Sequence, residues 1–136
     1  MTGMRNASGD DALMHYLRIW ADDDGESHLE PVTLPEDLAA GEPGVAPLVV
    51  SDPVRVDRLH FVTVKAGRQA PDWHTGPRRQ LVTFLTGAVT IETSDGDRRE
   101  LDPGTTVLVE DLAGRGHVTT HADGDQRVLV IPLDRA

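Results

Sequence analysis

The chain has 136 residues, no cysteine, and 23 acidic against 13 basic side chains, for a formal net charge of −10. That balance argues against nucleic acid, whose phosphates must be neutralised, and the missing cysteine excludes disulfides, thiolate metal ligands and a cysteine nucleophile. No apolar run approaches the ~20 residues of a membrane span, and the first residues carry no apolar signal-peptide core, so no membrane partner and a cytoplasmic location are expected. The length predicts one domain.

Met1 to Ala12 is polar, with Gly3, Asn6, Ser8 and Gly9 and no apolar period. Residues 1–13 are therefore read as a flexible tail ahead of a domain over 14–136. His15-Tyr16-Leu17-Arg18-Ile19-Trp20 alternates as a strand does, and Asp22-Asp23-Asp24-Gly25 ends it with turn chemistry. Ser27 to Thr33 is the expected hairpin partner. Leu34 to Val45, rich in Pro, Gly, Ala and acid, reads as a loop with one short helical turn at Pro35 to Ala39.

From Val54 onward the period is two. Strands are predicted at Arg58 to Val64, Gln80 to Leu85, Ala88 to Thr93, Arg98 to Leu101, Thr106 to Val109, His117 to His121 and Arg127 to Leu133. Ala66-Gly67, Thr86-Gly87, Asp95-Gly96-Asp97, Pro103-Gly104 and Asp123-Gly124-Asp125 punctuate them, and Ser94-Asp95-Gly96-Asp97 is a hairpin signal. Many short strands without a long amphipathic helix predict an all-β sandwich or barrel.

Within these strands run Trp73-His74-Thr75-Gly76-Pro77-Arg78-Arg79-Gln80, Gly87, Asp102-Pro103-Gly104 and Gly114-Arg115-Gly116-His117. The order resembles the two motifs of the cupin superfamily, over about Val54 to Leu133. Gly67 opens the first motif, His74 takes its first His position, Gln80 its Glu position and Gly87 its closing glycine. Pro103-Gly104 and His117 take the matching places of the second motif, and His121 falls where an Asn is usual. The chain departs from the pattern at Gly76, which stands at the second His position, and at Gln80. It departs again at Glu110 to Gly116, a segment longer than usual and without its proline. The resemblance implies a single-domain, double-stranded β-helix (a jelly-roll barrel) that pairs as a homodimer through N-terminal strands such as His15 to Trp20.

It further implies that His74, Gln80 and His117 share one inward face and hold a divalent metal such as Zn, Fe, Mn, Ni or Cu. Three neutral ligands would make such an ion strongly polarising but weakly held. The alternative is that these side chains only hydrogen-bond within the barrel. No organic cofactor is indicated. His74, His117, Glu110 and His60 are the candidate acid–base residues. His60 faces either the pocket or serves as a satisfied wall residue. Of the neighbours Glu110 and Asp111 only one can face inward, and Glu110 is the expected one.

Arg78, Arg79 and Arg115 border the expected mouth and are candidates for binding an anionic ligand. The competing reading pairs them with Asp72, Glu110, Asp111 or solvent. Trp73 and Phe84 are candidate ligand contacts, although large aromatics such as Trp73 and Trp20 more often belong to core or interface. His121, beside an acidic turn, is expected to face solvent, and His15 and His28 receive no role.

The expected function is a small-molecule enzyme of isomerase, lyase or dioxygenase type, acting on an anionic or carbonyl-containing metabolite in secondary metabolism. The alternative is a non-catalytic ligand-binding or sensor barrel with a degenerate metal site. A structural module, its interior packed shut by Phe84, Ile91 and Leu129, is the third reading.

Overall fold

The computed structural model describes residues 15–34, 36–39, 44, 46, 48–65, 71–121 and 124–133. Eleven strands are present: β1 His15–Ala21, β2 Ser27–Thr33, β3 Glu36–Ala39, β4 Leu48–Ser51, β5 His60–Val64, β6 Gln80–Phe84, β7 Val89–Thr93, β8 Arg98–Leu101, β9 Thr106–Val109, β10 His117–His121 and β11 Gln126–Pro132. No helix occurs among the described residues, and so none long and apolar enough to cross a membrane. The expected tail, the Ala66-Gly67 turn and Asp123 lie outside the described residues.

The strands form a six-stranded sheet in the order β2-β1-β9-β6-β11-β5, a three-stranded sheet β10-β7-β8 and a β3–β4 ribbon. All pairings are antiparallel except β1 with β9. One apolar cluster joins the two larger sheets. Ile19, Phe84, Val107, Val109 and Val128 come from the first, and Val89, Ile91 and Leu101 from the second. Side chains alternate across a pleated strand, so each sheet turns one row of β-branched and aromatic residues toward the other. The result is an all-β sandwich.

Local chemistry accounts for the register. The Asp22 carboxylate accepts from the backbone N–H groups of Asp24 and Glu26 and closes the β1–β2 turn. Pro31 sits in β2, an edge strand, where its missing N–H costs no ladder bond. The helical turn predicted at Pro35 to Ala39 is, over Glu36–Ala39, instead strand β3, paired with β4 from Glu36↔Ser51 to Ala39↔Leu48; Pro35 lies outside the described residues. The β-prone run Leu48-Val49-Val50 supplies a ladder, and pairing outweighs the weak local helix signal.

The β1–β2 and β7–β8 turns are pinned together by a residue that carries no sequence signal. His28 Nε2 lies 2.8 Å from Asp22 Oδ2 and its Nδ1 lies 3.0 Å from Asp95 Oδ2, while its ring stacks on Trp20 at 4.6 Å between centroids. The bond to Asp22, reinforced by Asp95 and opposed by partial desolvation, holds the imidazolium above its ordinary value. A raised folded-state value adds stability that is complete below the ordinary histidine range and disappears as pH climbs through the raised value. Asp22, held down first by the same bond, adds stability above the ordinary carboxylate range that is lost as pH falls through its lowered value. The link is thus strongest between about pH 4 and 6.5. Melting temperature followed from acid to alkaline pH is expected to fall faster above that window in wild type than in His28→Gln. Parallel curves would remove the link.

Candidate active site

Between the sheets lies a cavity of about 300 Å³, walled by Val62, Val64, Phe84, Ile91, Val128 and Val130 among others. Its polar residues are His74, Gln80, His117, Thr119 and His121. Phe84 and Ile91 are therefore walls rather than plugs. Leu129, between Val128 and Val130, alternates to the outer face. The packed-shut reading is overturned.

His74 and His117 are joined by an isolated antiparallel bridge, with both backbone N–H···O bonds formed at 3.0 and 2.9 Å. Directly opposed residues share a face, and the two rings stand 4.7 Å apart. His74 is exposed at the mouth, while His117 (4% exposed) and Gln80 (8%) are buried beneath it. The expected convergence of His74, Gln80 and His117 on one cavity is thus present in the structure.

Each imidazole is oriented through Nδ1. His74 Nδ1 donates to the Asp72 carbonyl at 3.0 Å. His117 Nδ1 donates to the carboxylate of Asp111 at 2.6 Å, and Asp111 is fully buried. Both rings therefore keep Nε2 for chemistry. The second carboxylate oxygen of Asp111 is buried without a partner, an unusual state for a charged atom.

Asp111, not Glu110, is the inward acid. Val107 and Val109 line the cavity, so alternation sends Glu110 outward and Asp111 in. Glu110 instead accepts from Arg18 Nε at 2.5 Å and Arg79 Nε at 2.7 Å. Burial pushes its carboxyl up, but the two guanidinium bonds outweigh it and hold the group below the ordinary range. A carboxylate so fixed is a structural anion rather than a proton donor.

The other expected residues divide. His60 shares the face of Val62 and Val64 but is exposed and outside the cavity wall. Trp73 is 46% exposed and belongs to neither cavity nor core. Phe84 is buried in the wall. Arg79 turns toward Glu110, and Arg115 pairs with Glu26 at 3.0 Å, so neither guanidinium is presented to the cavity. Arg78 is exposed and outside the cavity wall, its Nη1 3.4 Å from Gln80 Oε1. His121 lines the cavity, contrary to the expectation of solvent. The alternation His117, Thr119, His121 along β10 carries that signal.

The glycine at position 76 has a steric cause. A Cβ built there would stand 2.5 Å from Val109 Cγ1 and 3.3 Å from Leu112 Cδ2. Val109 is buried and stiff at χ1, so no imidazole can replace Gly76 without repacking. Gly76→His is expected to cost about 1–3 kcal/mol as overpacking and to add no metal-binding nitrogen. Chemical denaturation and zinc titration of the variant check both, and a stable variant with new zinc affinity would contradict this.

Two of the three expected metal donors suit a divalent ion, since both imidazoles present Nε2. The third does not. Gln80 Oε1 lies 3.4 Å from Arg78 Nη1 and so already faces a cation. With its oxygen turned to Arg78, Gln80 offers the cavity its amide Nε2–H donors instead.

No family model and no curated protein matches the sequence. Among solved structures, protein NMB1881 from Neisseria meningitidis is similar at 19% identity and a TM-score of 0.41, over 54% of this chain and 71% of that chain. A likeness of that degree carries no argument about this chain's fold or chemistry.

Proposed function

We propose that the sandwich is a cupin-type jelly roll and that its cavity is the active site of a small-molecule isomerase or lyase working by proton transfer. One observation carries the reading: a buried His117–Asp111 pair, with His117 Nε2 left for substrate, beside His74 and the Gln80 amide in an apolar cavity. Asp111 fixes the His117 tautomer and balances the positive charge when Nε2 takes a proton. The substrate class is a carbonyl compound with an acidic α-C–H. His117 Nε2 removes that proton and the C–H electron pair moves into the carbonyl, forming an enolate. Its oxygen accepts from the Gln80 Nε2–H group. Return of the proton to the opposite face of the α-carbon completes an epimerisation, and its return to the γ-carbon of a β,γ-unsaturated ketone completes a double-bond isomerisation. Departure of a β-hydroxyl with its bonding pair, taking the proton from His117 Nε2, forms water and the α,β-unsaturated ketone and completes an elimination. In this reading the proton transfers rest on His117, Asp111 and Gln80.

The test is α-proton exchange. Small ketones and β-hydroxy ketones are incubated with the protein in D2O, and loss of the α-proton signal is followed by NMR. Exchange above the buffer rate that disappears in His117→Ala supports the proposal, and no exchange with any compound overturns it. Tag-free protein is expected to carry less than about a tenth of an equivalent of divalent metal. A full equivalent lost in His74→Ala would restore the metal-dependent form. A ligand-binding barrel without turnover is the second reading, favoured by the pairing of Arg79 and Arg115 with acids. Shifts of the His117 resonances without exchange would select it.

A further inference from the structure

We infer that His121 is a second polar pole of the cavity, receiving the hydroxyl end of an elongated, apolar-bodied ligand whose other end lies at His74 and His117. The inference rests on the small-molecule reading above and adds the shape and polarity of what binds. His117, Thr119 and His121 alternate on β10 and all line the cavity. Four residues along a strand place His121 about 13 Å from His117. The walls between them, such as Val62, Ile91 and Val130, are apolar. A ligand that satisfies both ends is therefore long, with polar groups at its tips and hydrocarbon or aromatic carbon between.

The His121 end is held as firmly as the other. His121 Nδ1 donates to Gln126 Oε1 at 2.7 Å, and Gln126 Nε2 donates to the Ala88 carbonyl at 3.1 Å. Gln126 is 1% exposed. A buried amide held at its nitrogen end can present only oxygen to the ring, so His121 carries its proton on Nδ1 and keeps Nε2 as an acceptor. Gly87 makes this arrangement fit, because a Cβ there would lie 2.7 Å from Gln126 Cδ and closer still to its nitrogen. Gln126 is thus a positioning residue for His121. An acceptor nitrogen selects a ligand tip with an O–H.

Biphenyl, para-hydroxybiphenyl and para,para′-dihydroxybiphenyl are the probes. Calorimetry with wild type is expected to show the dihydroxy compound binding about fivefold tighter than the monohydroxy one, the worth of one added hydrogen bond. His121→Phe is expected to erase that ratio. His121→Leu serves if the phenylalanine variant does not fold, and the wild-type ratio needs no variant. Ring-nitrogen NMR is expected to show His121 protonated on Nδ1 and its Nε2 signal shifting with the dihydroxy compound alone. Equal binding of the two phenols, a ratio that survives at His121→Phe, or an Nε2-protonated ring overturns the second pole and leaves the small-molecule reading standing. No binding of any probe overturns the elongated apolar-bodied ligand, while the small-molecule reading stands or falls on the α-proton exchange above.

Discussion

Gly116→Ala is expected to destabilise the protein far more than Gly96→Ala, a methyl addition at a turn glycine that also has positive φ. Gly116 has φ of +76°, a conformation that costs a residue with a Cβ roughly 1–2 kcal/mol. Contact with neighbouring backbone costs more. An added Cβ would stand 2.8 Å from Thr75 N and nearer still to the His74 carbonyl group. That carbonyl accepts from His117 N in the bridge between the two site histidines, and the Gly116 carbonyl itself accepts from buried Ser27 Oγ at 2.6 Å. Relief of the clash therefore breaks one or both bridge bonds, each worth about 0.5–1.5 kcal/mol. The sum, about 1.5–5 kcal/mol, is a large share of a typical total of about 5–15. Gly96→Ala is the control. Its φ is +91° but an added Cβ meets nothing within 4 Å, so only the conformational cost remains. Denaturant melts are expected to separate the two variants by about 0.5–3 kcal/mol, the worth of one or both bridge bonds. Equal losses would show that φ alone explains Gly116.

Nothing local marks Gly116 as the costlier of these two glycines, because the backbone it touches belongs to a distant segment of the chain. Strand positions and the β7–β8 turn, by contrast, were legible because period-two alternation and Asp-Gly punctuation are local properties. Strands β8, β9 and β10 coincide with the predicted Arg98 to Leu101, Thr106 to Val109 and His117 to His121. Strands β3 and β4 were not legible, because their pairing partner, not their own composition, decides their state. Within the site, His74, Gln80 and His117 stood out by spacing. The choice between Glu110 and Asp111 required the facing of Val107 and Val109, which alternation supplies once β9 is known to line the cavity. His121 was hidden by the acidic turn beside it, although the β10 alternation pointed inward. The arginines illustrate a different limit. Glu110 stood among the acids the sequence offers these arginines, and it takes Arg79; Glu26, the partner of Arg115, lies 89 residues away, and no local pattern encodes that pairing.

Asp111→Asn is expected to leave the fold nearly intact and to remove most of the proton-transfer activity. The substitution keeps shape and volume at a site with no exposure. It exchanges a charge-assisted bond to His117 Nδ1 for a neutral one, a loss of about 1–2 kcal/mol. The chemical consequence is larger. An asparagine can turn either its oxygen or its N–H2 group toward the ring, and the second orientation forces the proton onto Nε2, the atom that must accept from substrate. No negative charge remains to balance the imidazolium. In a histidine–carboxylate pair the equivalent change lowers turnover by about ten-thousandfold, and a fall of about a hundredfold or more is expected in α-proton exchange. His74→Gln, which leaves the His117–Asp111 pair in place, is expected to lower exchange far less. Ring-nitrogen NMR separates the causes: the wild-type His117 is expected to be protonated on Nδ1, and the variant to show an Nε2-protonated population. An unchanged tautomer with unchanged exchange would mean that the orphaned Asp111 oxygen and its buried charge serve packing of the loop before β10, and the acid–base reading of the cavity would fall with it.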